Sequence, residues 1–471
     1  MINYYAMVVV FIVGIVMISL EDRIRINKAA VAVLMCVAMW LMLISGSGDI
    51  LLGLNNSSYS EYITLNGLEE SMSNMGELTR YIAEKQFVPH LGSVSETLFF
   101  VMGTMIVINI VDKYGGFRAI TDRVTTNDKR KLLWIISFLA FFLSACIDNI
   151  AAALVLIAIL RKMVPDKTDR MKYACMIVIS ANAGGSWSPI GDVTTLLLWT
   201  GGYLTPLHQI THLFLSSLMN MLVPLVIAHF WLFKPNAKLR EKHELPLDRA
   251  QTLVSQNERM TIFLVGFLSL ALVPLFQFWT GLPPFLCVLL GLSLLWVYTD
   301  ILNVDTRPYE EELRVTSILH ELDLSTIFFF LGILMSIAAL ETGGQLHEAS
   351  LFLDEKLHNP FLLSTIIGMI SSFTDNVALV AGTMGMYPLP AETMAEVSGY
   401  AANFVQNGAF WTTTAYTAVT GGSLLIIGSA TGVTVMGLEG ISFGYYFKRF
   451  SILALAGYLS GLGCTYLMLQ L

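Results

Sequence analysis

Charge is what this sequence has least of. Lys, Arg, Asp and Glu make up 13% of its 471 residues, and 55% are hydrophobic. Soluble domains carry about 25% charged residues, so an ordinary soluble class is excluded. Many apolar runs reach the ~20 residues that span a bilayer core. The chain reads as a polytopic, all-α membrane protein. Its net charge of −8 therefore says little about partners, and the position of each charge matters more. Cysteine is scarce as well. Cys36, Cys146, Cys175, Cys287 and Cys464 form no CxxC and no ligand cluster, and read as small buried hydrophobes. The histidines make no metal spacing, and His208 and His212 at i, i+4 are a weak signal. No nucleophile motif or nucleotide loop supports an enzyme, a cofactor or a nucleic-acid partner. The N-terminal stretch lacks a basic leader region and a small-residue cleavage site, and is expected to be a retained first span.

The apolar cores also lack Lys and Arg. All 27 basic residues lie in or beside loops. They cluster in 22–28, 112–131, 161–172, 233–259, 299–322 and at Lys448 and Arg449. Short basic loops stay cytoplasmic, which places loop 46–95, with its acidic excess, outside. Ten crossings follow, at about 5–21, 29–45, 96–111, 173–200, 208–233, 260–280, 283–299, 323–342, 393–436 and 450–471. Both termini are then expected outside. Two further apolar segments, 132–163 and 360–389, begin and end on one side. Their arms of about 12–16 residues reach only ~18–24 Å at 1.5 Å per residue, short of the ~30 Å core. Re-entrant hairpins with mid-membrane tips are expected, their irregular backbone sheltered by protein or a wet cavity.

What is present, against this apolar background, is an Asp-Asn pair at each tip: Asp148-Asn149 in "CIDNIAA" and Asp375-Asn376 in "FTDNVAL". The flanking segments repeat in order. "ETLFFVMGTMIVINIVDKYGG" aligns with "LSTIFFFLGILMSIAALETGG", each followed by a mixed polar stretch that suits an interfacial amphipathic helix. "SANAGGSWSPIGDVTT" aligns with "TAVTGGSLLIIGSATG", pairing Gly184-Gly185-Ser186 with Gly421-Gly422-Ser423 and Gly191 with Gly428. By the charge map the repeats start on opposite faces, which makes them inverted-topology repeats, the plan that puts substrate at the midplane on broken helices. Four regions result: 1–95, two spans and the external loop; 96–233, the first repeat with hairpin 132–163 and broken helix 173–200; 234–322, a linker and two connecting spans; and 323–471, the second repeat with hairpin 360–389 and broken helix 393–436.

Gly184, Gly185, Pro189 and Gly191 are poor helix-interior residues, so Ser180–Thr195 is expected to unwind and expose carbonyls. Side-chain oxygens come from Asn182, Asp192, Thr194 and Thr195, with Ser186 and Ser188 as secondary candidates. The second copy offers Ser423, Ser429 and Thr431, with Ser429 where the first has Asp192. Burial penalises a charged carboxylate, so a proton and a small cation would compete for Asp148, Asp375 or Asp192. Each of these aspartates also suits an N-cap, and capping is compatible with ion binding. Glu96 and Glu341 lie at span ends, where an interfacial carboxylate is the plainer reading.

"SACIDNIAAAL", "SANAGGSWSPIGDVTTLLLW" and "SSFTDNVALVAG", in this order and spacing, resemble the NhaD-type sodium/proton antiporters. These belong to an ion transporter superfamily that also holds arsenite and dicarboxylate carriers. The resemblance covers the chain from about 96 onward. It implies exchange of cytoplasmic Na+ or Li+ for protons in a bacterial inner membrane, by a homodimer with an elevator-type mobile part embedded in lipid. It points to Asp148, Asn149, Asn182, Asp192, Thr194, Thr195, Asp375, Asn376 and Ser423, with Na+ at Asp148, Asp375, Asn149 and Asn376. An anion carrier of the same superfamily, exporting arsenite or importing dicarboxylate with sodium, is the competing expectation.

Overall fold

The computed structural model describes residues 2–52, 57–68, 74–117, 126–235, 237–239, 254–306, 313–390 and 397–470. Among them the regular secondary structure is helix, with one isolated β-bridge between Asp128 and Lys238. Eight helices are long and apolar enough to cross a membrane, or nine if a bent pair counts as one span. The chain is therefore a multi-pass membrane protein. Basic residues Arg118, Arg123, Arg240, Lys242, Arg249 and Arg307 lie outside the described residues, as does most of the first amphipathic stretch.

The structure divides into two compact units. Unit 1 comprises 1–99, 323–359 and 378–388. Its helices are α1 (Ile2–Ser19), α2 (Lys28–Ser45), the first part of α3 (Val88–Lys113), α12 (Leu324–Thr342) and α13 (Gln345–Leu357). Its core is the α2–α12 seam, where the Trp40 indole donates to the Met335 carbonyl at 2.9 Å. Here one expectation fails. The supposed loop 46–95 is largely helix, with Ser57–Leu65 helical and one helical run from Met75 to Lys113. Leu78, Tyr81 and Ile82 are buried inside that run. Its charges are accommodated at the surface, where Arg80 pairs with Glu84 one turn on at 3.2 Å. Between Met75 and Phe87, polar residues that suggested a loop thus form the outer face of an amphipathic helix.

Unit 2 comprises 100–322, 360–377 and 389–471. Its helices α4 (Lys129–Ile147), α5 (Asn149–Met163), α6 (Lys167–Ser186), α7 (Val193–Thr200) and α8 (Pro206–Trp231) cover the first repeat region. Then come α9 (Gln256–Ala271), α10 (Val273–Thr280) and α11 (Pro284–Thr306). The expected span 260–280 is bent by 48° between α9 and α10, where Pro274 removes an intrahelical hydrogen bond. Further along are α14 (Pro360–Ile370), the start of α15 (Asn376–Met386), α16 (Ala409–Gly421), α17 (Ala430–Glu439) and α18 (Ser451–Met468).

Two corrections concern element ends. The first hairpin arm is 19 residues, not 12–16, because Asp128 caps the backbone amides of Arg130 and Lys131 and draws the basic triplet into α4. The expected span 393–436 is not one segment. Among its described residues, 397–408 hold a short 3-10 helix, Gly399–Asn403, and α16 begins only at Ala409.

Unit 2 is built around α6 and α16. Every residue from Tyr173 to Ser186 and from Phe410 to Gly421 is buried, as expected of helices apolar or small on every face. Each packs on the first arm of an Asp-Asn hairpin, α6 on α4 and α16 on α14. The contacts correspond one to one. Ser144 donates to the Ala181 carbonyl at 2.6 Å, and Ser371 to the Ala418 carbonyl at 2.6 Å. A Cβ on Gly184 would stand 2.1 Å from the Phe141 carbonyl oxygen, and one on Gly421 would stand 2.0 Å from that of Gly368. Only glycine allows so close a helix crossing. Gly184 and Gly185 therefore stay helical, contrary to the expected unwinding from Ser180. The break is confined to 187–192, around Pro189.

Candidate functional site

Both helix breaks end in a capped half-helix. Asp192 accepts from the Thr194 amide at 2.7 Å and starts α7, and Ser429 accepts from the Gly432 amide at 3.1 Å and starts α17. The hairpin tips are built alike. Asp148 accepts from the Ile150 amide at 3.2 Å, and Asp375 from the Val377 amide at 3.0 Å. The three expected aspartate caps are present and Ser429 adds a fourth, so each of these side chains is held by the backbone it starts.

The amides beside the tips reach elsewhere. Asn149 Nδ2 donates to the Asp192 carboxylate and to Asn182 Oδ1, the latter at 3.1 Å. Asn376 Nδ2 reaches both oxygens of Asp192 at 3.3 Å. Asn182 Nδ2 donates to Ser423 Oγ at 2.9 Å and Ser429 Oγ at 3.1 Å. Two hairpin tips and two helix breaks thus converge on a buried polar hub with Asp192 at its centre. Asn149, Asn182, Asp192, Asn376, Ser423 and Ser429 are each at most 5% exposed. Asp192 also lies within electrostatic range of both Asp148 and Asp375.

In the helices and tips that build the hub, several buried oxygens have no hydrogen-bond partner among the described residues: Asp148 Oδ1, Ser180 Oγ and Thr431 Oγ1. Buried polar atoms are normally satisfied, so unpaired acceptors grouped in one unit suit a cation or ordered water. Asp148 adds backbone strain, with φ 75° and ψ 148°, a region that is nearly exclusive to glycine and costs about 1–3 kcal/mol. Among the described residues no three or more His, Cys, Asp or Glu are arranged to hold a metal ion. The oxygens on offer are amide, hydroxyl and carboxylate oxygens, hard ligands that suit a small hard cation.

Among the described residues, the remaining candidates neither donate to nor accept from the hub side chains. Thr195 Oγ1 donates to the Asp192 carbonyl at 2.9 Å and supports the break. Ser186 bonds Ser217 Oγ at 2.6 Å, facing α8 and not the hub. Ser188 Oγ accepts from the Ile190 amide within the turn. Glu96 and Glu341 belong to unit 1. Sequence reasoning missed Ser144 and Ser371, although each stands four residues before its tip aspartate. It also missed the buried Tyr446, whose hydroxyl donates to the Ser423 carbonyl at 2.7 Å and which carries no sequence signal.

An all-helical membrane chain whose broken helices and hairpin tips meet in a buried oxygen-rich hub has the architecture of a secondary transporter. Similarity to known proteins narrows this class to one family. The citrate transporter family (CitMHS) matches residues 8–403, and the chain belongs to that family. It is 35% identical over 457 residues to sodium/proton antiporter 1 of Arabidopsis thaliana, covering 97% of this chain and 71% of that protein. Sodium/proton antiporter 2 of the same plant is 34% identical, covering 98% of each. The Na(+)/H(+) antiporter NhaD of Vibrio cholerae is 27% identical, covering 92% of this chain and 85% of that protein.

Proposed function

We propose that the protein exchanges cytoplasmic Na+ or Li+ for external protons, one replacing the other at the Asp192 hub. The observation that carries this reading is the shared Asp192 carboxylate, which receives an amide from each hairpin tip while capping its own half-helix. A buried carboxylate is costly to leave charged and alone. A proton neutralises it, and so does a small cation completed by neighbouring oxygens. Asp148 and Asp375 flank it as further carboxylates that a cation or proton can occupy. The names of the plant and bacterial relatives support the same exchange.

The matched Ser144–Ala181 and Ser371–Ala418 contacts support a duplicated unit. With the charge map they favour inverted-topology repeats. The 11-residue α14 and α15, roughly 17 Å each, favour a re-entrant second hairpin. In this reading unit 2 carries the ion in an elevator-type movement, the protein is a homodimer in a bacterial inner membrane, and the basic loops face the cytoplasm.

The family's description as a citrate transporter favours a second reading, an anion carrier. Among the described residues no Lys or Arg bonds the hub side chains, which disfavours it. One experiment separates the two. Purified protein is reconstituted into vesicles with a preformed pH gradient, and Na+, Li+, K+ or potassium citrate is added. Dissipation by Na+ or Li+ but not by K+ or citrate is expected. Dissipation by citrate alone would reject the exchange.

A further inference from the structure

Glu439 is a carboxylate with no exposed side-chain surface, at the last position of α17. Arg161 Nε donates to one of its oxygens at 2.7 Å and Arg170 Nε to the other at 2.5 Å. Arg161 also donates to the Leu438 carbonyl at 2.5 Å, and Arg170 to that of Val164 at 3.2 Å. Gly440 ends the helix in the left-handed conformation, φ 62°, and a Cβ there would stand 3.1 Å from Lys167 Nζ. Three cations thus surround one helix C-terminus, where the helix dipole favours them. A buried ion pair is weak evidence for stability in itself, because desolvation offsets the attraction. Its place in the fold is more informative.

The helices it joins are those that build the hub. Asn149 and Arg161 are both on α5, Asn182 and Arg170 on α6, and Ser429 and Glu439 bracket α17. These pairs are ten to twelve residues apart, about 15–18 Å along a helix. At one end Asn149 bonds Asn182 and Asn182 bonds Ser429. At the other Arg161 and Arg170 bond Glu439. Helix α17 packs on both α5 and α6. Three rods are therefore pinned at both ends, and sliding α17 along α6 would break both pins together.

We propose that Glu439 is a positioning residue for the hub, setting the axial register of α17 so that Ser429 and the first turn of that helix stay within reach of Asn182. This rests on the proposed cation exchange at the hub. The ion pair acts about 15 Å from the ions, through the helix and not through its field.

Two readouts test it, both on the full-length protein. The first is the Na+ concentration that half-saturates dissipation of a pH gradient. Glu439→Gln should raise it at least tenfold, with the rate at saturating Na+ within about threefold of the parent. Arg161→Ala removes a partner whose side chain is 43% exposed and should fold normally. It should raise half-saturation about threefold, and the double variant should be no worse than Glu439→Gln alone, since both act on one pin. The second readout is amide hydrogen exchange over 429–436, expected to quicken at least tenfold in Arg161→Ala. Unchanged half-saturation with unchanged exchange in that variant overturns the proposal even if Glu439→Gln fails to accumulate. A parent protein that ignores Na+ would instead reject the exchange, and the hydrogen-exchange readout would still decide the pin.

Discussion

Asp192 accepts from two asparagine amides and one backbone amide, which few neutral side chains could replace. Asp192→Asn keeps the shape but sets two amide donors against a third. Exchange should fall at least a hundredfold, while the variant still inserts and purifies. Gradient dissipation in vesicles, normalised to purified protein, measures this. Asp148 poses a different case, because its backbone is strained as well as its side chain engaged. Asp148→Gly relieves a strain of about 1–3 kcal/mol against a glycine entropy cost of about 0.5–1 kcal/mol. The variant should melt no lower than the parent, yet lose exchange. Loss of both properties would mean that the tip aspartate holds the fold and not the ion. At this scale the sequence was legible where polar residues interrupt apolar runs. Asp148, Asn149, Asn182, Asp375 and Asn376 stand out that way. Tyr446 does not, because a tyrosine among aromatics looks like any packed ring. Nor was the rank of Asp192 legible, since only the fold brings Asn149 and Asn376 to the same carboxylate.

The pairs α4–α6 and α14–α16 cross at glycines that face a carbonyl oxygen at nearly the same distance. Gly184→Ala and Gly421→Ala each force a helix pair apart, and overpacking typically costs about 1–3 kcal/mol. The two variants should lower the melting temperature by similar amounts. A large disparity would argue against equivalent crossings. Charge also ties α4 to α6. Lys129 and Lys172 bond Asp169 at 2.5 and 2.9 Å. Burial alone would raise the Asp169 carboxyl, but the two lysines outweigh it and hold it below the usual range. The pairing therefore contributes stability above the ordinary carboxylate pKa and loses it as pH falls through the lowered value. Asp169→Asn should destabilise the protein at neutral pH and make no difference in strong acid, read as melting temperature against pH. Element positions were mostly legible, because apolar runs and basic flanks mark them. The helical run from Met75 was not, since an amphipathic helix with one wet face shares its composition with a polar loop. The unwinding predicted at Gly184 and Gly185 was misplaced for a similar reason. Glycine serves close packing as readily as a break, and only Pro189 distinguished the two.

Across the whole molecule, the proposed exchange needs two near-equivalent states, which an inverted duplication would supply, and a single point of exchange, which the hub would supply. If one proton and one Na+ compete for the same carboxylate, each must weaken the other's binding by the same factor. The Na+ concentration for half-maximal exchange should then rise about tenfold for each unit the pH falls in the range where the site is mostly protonated, as single-site competition requires. The rate at saturating Na+ should change much less over that range. At alkaline pH the half-saturating concentration should level off, once no proton remains to be displaced. Measuring it in vesicles at several pH values, with equal pH on both sides and 22Na+ exchange as the readout, distinguishes this from a separate proton path. A path elsewhere in the chain would change the rate with pH but leave half-saturation flat. In Asp192→Asn any residual Na+ binding should lose most of its pH dependence, because only Asp148 and Asp375 remain for the proton to occupy.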